Sequence, residues 1–296
     1  PRQTTETTRH MTSSQTKYQY EQRPKLFNDL HETSTSIEQQ DSEENINKYL
    51  KVYRLAAQHN FSTIKLQRDF HVFYLRNGLR GLPQQFDSLD ASRPWLVYWI
   101  VHGLDMLDGF SEISQQQIDG IVDFLGNQCQ NRVTGGFGGG PGQLPHLAPT
   151  YASINSLTII NPLTSVKNSA FDVVDRDKLY QFLLSLKDEK SGGFRMHKDG
   201  EVDIRGTYCA LSVATLLNIC TEELMKGVRA YIVDSQTYEG GIGSFPGFEG
   251  HGGYAFCGLA ALLLLKDWEG FNIDQSLHWC VRRQMSFEGG FQGRTN

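Results

Sequence analysis

The 296-residue sequence lacks the features that identify membrane, nucleic-acid-binding and disulfide-stabilised proteins. Its longest apolar stretch, 255–265, is about half of the roughly 20 residues needed to span a bilayer. The net charge is -5, whereas a dedicated nucleic-acid binder needs a basic surface. The five cysteines form no CxxC pair, which is typical of a reducing compartment. We therefore expect a soluble, cytoplasmic protein that neither spans a membrane nor binds nucleic acid.

The short motifs of several familiar enzyme classes are missing as well. The sequence contains neither GxGxxG nor GxxxxGK[ST], the two nucleotide-binding fingerprints, and neither HExxH nor GxSxG. The nine histidines are scattered, and no general base is evident beside Cys257. We therefore expect Cys257 to line a wall rather than to act as a nucleophile.

Apolar residues are scarce at the start of the chain. Among aliphatic, Met, Phe and Trp residues, the stretch 1–45 holds only Met11, Leu26, Phe27, Leu30 and Ile37. Such a composition buries too little apolar surface to offset the entropy of an ordered chain. The sequence predicts a disordered polar tail over 1–45 and a folded domain with one sizeable core over 46–296.

A Gly-Gly-apolar triplet recurs four times in the second half of the sequence. Its third members, separated by 57, 48 and 49 residues, are Phe137, Phe194, Ile242 and Phe291. An aromatic residue follows each of the first three by 14 residues, at Tyr151, Tyr208 and Phe256. An amphipathic stretch precedes each triplet, and an almost wholly apolar stretch follows each of the first three. This periodicity predicts an array of helical pairs in which outer helices shield inner ones.

The glycines of the triplets are interpreted as turn residues, because glycine permits a positive φ and a close approach of two backbones. The fourth triplet has no aromatic residue at the matching offset within the sequence, which stops at Asn296. We therefore interpret the chain as a fragment of a longer domain, truncated at its C-terminal side.

Charged residues occupy the segments that lead into successive inner helices. Arg205, His251 and Arg294 stand at three such entrances, where helix-end amides favour an anion. Together they could hold a phosphate or a diphosphate. Alternatively, Arg205 pairs with Asp203 or Glu201, and His251 is an ordinary hydrogen-bonded histidine. The sequence leaves both interpretations open.

Aromatic residues share the phase of these entrances: Trp95, Trp99, Tyr151, Tyr208 and Tyr254. They could simply fill the core, which is the commoner role of aromatic side chains. They could instead line an apolar pocket beside the anion site. A diphosphate next to a long apolar pocket describes an isoprenoid diphosphate.

The same segments resemble a known family. From about residue 61, the stretches 90–108, 135–157, 200–219, 239–265 and 282–294 are similar to the β subunits of protein farnesyltransferase, a CaaX protein prenyltransferase. The resemblance implies an all-α fold, an α-α toroid (α/α barrel) of helical-pair prenyltransferase repeats that is incomplete here. It also implies a separate α subunit as partner. The implied reaction transfers farnesyl from farnesyl diphosphate to the cysteine thiol of proteins that end in a CaaX motif.

The resemblance also implies roles for particular residues. His251 and Arg294 match the diphosphate ligands, and we take them as catalytic. The remaining matches for the farnesyl diphosphate site are Gly252, Gly253, Tyr254, Arg205, Tyr208, Tyr151, Cys257 and Trp95. Trp95 and Trp99 match aromatic residues that also meet the CaaX peptide.

Metal ions are implied only for the complete subunit. The family's zinc ligands are an Asp and a Cys of an Asp-Gly-Cys motif and a later His, and the resemblance places all three beyond Asn296. It thus implies zinc, with magnesium as a second candidate ion, and no metal site within this chain. We expect the fragment alone to be inactive.

Two other functions stay open at this point. The first is a type I geranylgeranyltransferase β subunit, in which a small residue replaces Trp95 and lengthens the pocket. The second is a non-catalytic helical repeat scaffold. A terpene cyclase of related fold is disfavoured, because the sequence has no DxDD run for acid chemistry.

Overall fold

The computed structural model describes residues 33–59, 65–164 and 169–294. Within them the helices are α1 (Ser34–His59), α2 (Arg68–Gly78), α3 (Arg93–Met106), α4 (Gln115–Asp123), α5 (Leu147–Ile160), α6 (Arg176–Ser185), α7 (Ile204–Leu216), α8 (Glu222–Met225), α9 (Val228–Asp234), α10 (Gly252–Leu265) and α11 (Ile273–Val281). Shorter 3-10 turns cover Gln84–Ser92, Phe110–Glu112, Asn161–Leu163 and Ala170–Val173, and Phe124–Cys129 is a π-helix. Two short strands, β1 (Phe194–Arg195) and β2 (Val202–Asp203), pair antiparallel with Phe194 opposite Asp203.

The described residues divide into two units, one that holds 33–59 and one that holds 65–164 and 169–294. The predicted domain start at residue 46 lies within the first unit, and it stays a prediction. At the other end, the predicted domain runs to Asn296, but residues 295 and 296 lie outside the described residues. The C-terminal boundary of the domain, and its truncation there, stay predictions.

The predicted tail over 1–45 is only partly described. Residues 1–32 lie outside the described residues. Residues 34–45 are helical, within α1, so the prediction of disorder is wrong for them. Glutamate and glutamine are good helix formers, and the Gln39 side-chain amide donates to Glu43 one turn later at 2.9 Å.

The second unit is built from two layers of helices, as the repeat predicts. The inner helices α3, α5, α7 and α10 pack side by side in that order. Outer helices α4, α6 and α9 come between them in the sequence, and outer helix α11 follows α10. The core lies between the layers, where Leu157, Leu179 and Ile232 are fully buried. The inner helices are apolar nearly all round because neighbours cover them on several sides. Among the described residues, no helix combines the length and apolarity needed to cross a membrane.

In the first three triplets each position has one role. The first glycine has a positive φ in all four triplets, and at Gly240 a Cβ atom would lie 2.2 Å from the backbone oxygen of Gln275 on the next outer helix. A Cβ atom on the second glycine, Gly241, would lie 2.7 Å from the indole of Trp279 on that helix. The third residue, here Ile242, is fully buried. In the first three triplets the glycines are therefore required by contact with the following repeat as well as by the turn itself.

In the first and third repeats, a side-chain amide joins the triplet to the next outer helix. Gln236 donates from Nε2 to the Gly240 carbonyl at 3.4 Å and to the Asn272 carbonyl at 2.9 Å, and its Oε1 accepts from the Asn272 amide at 3.0 Å. Gln130 makes the equivalent bonds in the first repeat, to Gly135 and to both backbone groups of Asp175. We call these side chains the staple residues. They satisfy the turn and fix where the next outer helix begins.

Lys187 is the staple residue of the second repeat. Its ammonium donates to the carbonyls of Gly192 at 2.8 Å and Leu224 at 2.9 Å, and lies 4.4 Å from the centre of the Phe194 ring. Burial lowers the pKa of Lys187 to about 8. A lysine has no acceptor atom, so it reproduces only the donor half of the glutamine bonds.

The close contact at Gly240 predicts a difference between two otherwise similar substitutions. Gly240→Ala and Gly289→Ala both place a side chain at a positive φ, so both carry the same backbone strain. A Cβ atom at Gly289 would meet no atom of the described residues within 4 Å. We expect Gly240→Ala to lower the free energy of unfolding by about 1 to 3 kcal/mol more than Gly289→Ala, since overpacking adds to the strain. Urea unfolding of both variants measures the difference, and equal losses would contradict the contact.

Candidate functional site

The residues at the entrances of the inner helices are helix caps. Nine residues after the first three triplets stand His146, Asp203 and His251. The Nδ1 atom of His146 accepts from the Ala148 amide at 3.0 Å, and that of His251 accepts from the Gly253 amide at 2.9 Å. Asp203 does the same for α7 with its carboxylate. Sequence reasoning missed this role for His146 and Asp203, although the constant nine-residue offset was a usable signal.

The first amide of each inner helix bonds to the next repeat. Leu147 donates to Met196, Ile204 to Ser244 and Gly252 to Gly293, at 2.8, 2.9 and 2.8 Å. The amides of Gly252 and Gly253 are therefore both occupied within the protein. The expectation that these helix-end amides help to bind an anion is corrected accordingly, because a donor already paired at short range is not available to a ligand.

The capping hydrogen bond at Nδ1 fixes the ring of His251 and leaves its Nε2 atom facing the segment that contains Gly293. Because Nδ1 accepts the Gly253 amide, the neutral ring carries its proton on Nε2. A Cβ atom added to Gly293 would lie only 2.8 Å from that Nε2 atom. The segment with Gly293 and Arg294 therefore runs directly past the donor. His251 is at once a cap and a candidate anion ligand.

Arg205 is tied to a buried carboxylate. Its Nε atom lies 2.8 Å from Asp203, whose side chain is only 4% exposed, and a weaker bond of 3.5 Å reaches Glu201. The hydrogen bond to Asp203 raises the pKa of Arg205, against the opposing effect of burial. Pairing with Asp203 and Glu201, one of the two interpretations left open by the sequence, is what the structure shows. The guanidinium also lies 5.9 Å from the centre of the Tyr254 ring.

Arg294 makes a different kind of pair. Its Nη1 atom lies 3.1 Å from Oε2 of Glu249, and the two side chains are 45% and 41% exposed. Glu249 precedes the cap His251 by two residues. The pair with Glu249 therefore ties the Arg294 side chain to the segment that leads into α10, and the joint role of Arg294 and His251 stays a prediction.

Aromatic rings form a continuous wall across the four inner helices. Ring centres are 5.7 Å apart for Trp99 and Trp95, 5.8 Å for Trp95 and Tyr151, and 5.5 Å for both Tyr151 with Tyr208 and Tyr208 with Phe256. The hydroxyls of the two tyrosines lie 3.4 Å apart. Phe256, a wall residue that was not predicted as part of the site, could have been found from its 14-residue offset.

The exposure of the wall separates it from the core. Trp99 is 53% and Phe256 60% exposed, and the three residues between them are half-buried. Fully buried apolar residues lie on the other faces of the same helices. The wall is therefore a surface of partly accessible rings rather than core packing.

Burial favours the uncharged forms of the Cys257 thiol and the Tyr151 phenol, because it raises both pKa values. Burial raises the pKa of Cys257 to about 11, so the thiol keeps its proton. Burial, reinforced by the hydrogen bond to Tyr208, raises the pKa of Tyr151 above its ordinary value. Cys257 is thus unsuited to act as a nucleophile.

Residues 66–296 match the prenyltransferase α-α toroid domain. Among curated proteins, the farnesyltransferase subunit β of Arabidopsis thaliana is 49% identical over 79% of this chain and 46% of its own length. That of Saccharomyces cerevisiae is 46% identical over 78% of this chain and 52% of its own. The chain spans about half the length of these curated relatives. The geranylgeranyl transferase type-1 subunit β of A. thaliana is 30% identical over 78% of this chain and 67% of its own.

A solved structure agrees with the fold. It is described as Candida albicans protein geranylgeranyltransferase-I complexed with GGPP, and it matches with a TM-score of 0.66 at 24% identity. The match covers 78% of this chain and 72% of that chain. At this identity the likeness concerns the fold alone. Together with the domain match and the two-layer array of helical repeats, it leads to one conclusion: the chain belongs to the prenyltransferase α-α toroid family.

Proposed function

We propose that the chain provides the isoprenoid diphosphate site of a protein farnesyltransferase β subunit. The observation that carries the proposal is the meeting of an apolar wall with a cationic corner. Arg205 precedes the wall residue Tyr208 by one turn of α7, a rise of about 4.5 Å. At the start of α10, the ring centres of the cap His251 and of Tyr254 lie 5.5 Å apart. The guanidinium of Arg205 also contacts the Tyr254 ring. The wall suits an isoprenoid chain, and the corner suits its diphosphate.

The proposed reaction transfers farnesyl to a cysteine thiol. The sulfur bonds to the first carbon of the farnesyl chain while the carbon–oxygen bond breaks, the diphosphate leaves with the bonding electrons, and the thiol proton passes to solvent. Negative charge grows on the diphosphate as this bond breaks. The Nε2–H of His251 and the guanidinium of Arg294 would then bind the transition state more tightly than the ground state.

The other site residues would hold neighbouring groups in position and shape the apolar surface. The amides of Gly252 and Gly253 fix Gly293 and the His251 ring, as their hydrogen bonds indicate. Tyr254 stands between His251 and Arg205, and Cys257 adds to the apolar surface. The remaining wall residues, Trp95, Trp99, Tyr151 and Tyr208, would exclude water from the isoprenoid.

Farnesyl is favoured over geranylgeranyl as the group transferred. The farnesyltransferase relatives reach 49% identity, against 30% for the geranylgeranyl transferase subunit. Trp95 packs against both Trp99 and Tyr151, so its bulk closes that part of the wall. A closed end suits the shorter, fifteen-carbon chain.

We also propose an α subunit and CaaX-ending proteins as partners, and a cytoplasmic location. The relatives' names as subunits of protein farnesyltransferase support the two partners. Five free cysteines support a reducing compartment.

Zinc and magnesium belong to the proposal only for the complete subunit. Among the described residues, no group of three or more His, Cys, Asp and Glu is placed to hold a metal ion. Asn296, beyond which the resemblance places the zinc ligands, itself lies outside the described residues, so the position of the metal site stays a prediction. No step is therefore assigned to a metal.

Replacement of Arg294 tests the proposed function. We expect Arg294→Ala, in the complete subunit with its partner, to reduce stabilisation of the transition state by about 2 to 4 kcal/mol, the cost of losing one such donor. Single-turnover transfer of farnesyl to a CaaX peptide measures it. Arg229→Ala is a matched control, because Arg229 pairs with Asp267 and Glu269 at the other end of α10. Wild-type rate and affinity in Arg294→Ala would contradict the assignment.

Gly293→Ala tests the position of the His251 donor. The new methyl group would lie within 2.8 Å of Nε2 and must displace the ring. We expect diphosphate binding to weaken by up to about 1.5 to 3 kcal/mol, since a hydrogen bond to a charged group is lost. Calorimetric titration with inorganic diphosphate measures this, and the nitrogen NMR shifts of His251 report the ring. Gly120→Ala, where a Cβ atom meets no described atom within 4 Å, is the control. Unchanged affinity together with an unchanged ring signal would rule out the contact.

Trp95→Thr tests the length of the pocket. Removing the indole opens the end of the wall beside Tyr151, so we expect the ratio of kcat/KM values to shift toward geranylgeranyl diphosphate. Steady-state comparison of both donors in the complete enzyme measures the ratio. Trp268→Thr is a control, because Trp268 lies outside the wall. An unchanged ratio would mean that Trp95 only packs against its neighbours.

A further inference from the structure

The two arginines of the site differ in the burial of their partners. Asp203, the partner of Arg205, is 4% exposed and also caps α7 through the Gly206 amide at 3.0 Å. Glu249, the partner of Arg294, is 41% exposed. A carboxylate left unpaired inside a protein is strongly unfavourable, whereas an exposed one is readily rehydrated. Arg205 is therefore held in place, and Arg294 can change partner at little cost.

The position of Glu249 places it in competition with an anion at this corner. Its carboxylate contacts Arg294 itself, and it lies two residues from the cap whose Nε2 faces the same segment. A diphosphate bound to Arg294 would meet this carboxylate as a neighbouring negative charge, which disfavours binding. The same carboxylate is the group to which the guanidinium returns when the anion leaves.

We propose that Glu249 is the counter-ion that Arg294 exchanges for diphosphate. It holds the guanidinium at the entrance of α10, gives it up to the incoming diphosphate, and recovers it as the diphosphate leaves. Glu249 thereby lowers diphosphate affinity and speeds its release, while it touches none of the reacting atoms. This inference rests on the proposed function of the site.

The test compares Glu249→Gln with wild type in the complete subunit and its partner. Inorganic diphosphate and farnesyl diphosphate are titrated by calorimetry, and dissociation is followed by stopped flow. We expect about two- to fivefold tighter binding of both ligands, the range that an exposed ion pair contributes. Dissociation should slow by a similar factor, and the folded protein should melt at nearly the same temperature.

Two further variants make the result specific. Glu269→Gln removes the same charge and one exposed contact to an arginine, Arg229, beyond the C-terminal end of α10. We expect its diphosphate affinity to equal that of wild type. In an Arg294→Ala background, Glu249→Gln should tighten binding less than it does beside an intact Arg294, because the exchange partner is gone.

The outcomes separate this inference from the function on which it depends. If wild type binds neither ligand, the proposed function fails. If wild type binds both, but Glu249→Gln binds with unchanged or weaker affinity, the exchange is wrong and the function stands. An equal gain with and without Arg294 would show general charge repulsion, which also overturns the exchange.

Discussion

The contact between each Gly-Gly turn and the next outer helix is the constraint on which the repeat depends. At Gly240 there is no room for a Cβ atom between the turn and the backbone at Gln275. The staple residue Gln236 then bonds both sides of the junction, and Trp279 covers the second glycine. Since the backbones touch directly, the offset between neighbouring repeats does not depend on side-chain conformation. A fixed offset is what allows several repeats to place equivalent residues in register.

The helix caps and the aromatic wall of the site depend on this register between repeats. Helices α5, α7 and α10 each start at a capping side chain, and the first amide of each bonds a carbonyl of the following repeat. Equivalent positions on adjacent helices therefore come side by side, which produces the ring contacts from Trp99 to Phe256. The cost is that amides at the start of α10 are committed to the scaffold. In the proposed function, affinity for the diphosphate would then come chiefly from side chains, His251 and Arg294 among them.

Burial decides what each charged residue of this corner can do. Asp203 is enclosed, so its charge stays with Arg205 and the pair acts as part of the framework. Glu249 is exposed, so its pair with Arg294 is weak and exchangeable. Burial thus separates the two ion pairs, because one has an enclosed carboxylate and the other a carboxylate open to solvent.

The sequence by itself determined the helical repeat, the order of its helices and the shared phase of Tyr151, Tyr208 and Phe256, because each follows from fixed spacings along the chain. It also marked His251 and Arg294 as a candidate anion site, which stays a prediction. Only the tertiary structure decided that Arg205 is paired with Asp203, that the amides of Gly252 and Gly253 are occupied, and that Glu249 faces Arg294. These depend on contacts between residues up to 45 positions apart and on exposure to solvent, neither of which a local pattern encodes. The same holds for residues 34–45, whose polar composition suggested disorder while their helix propensity favoured α1.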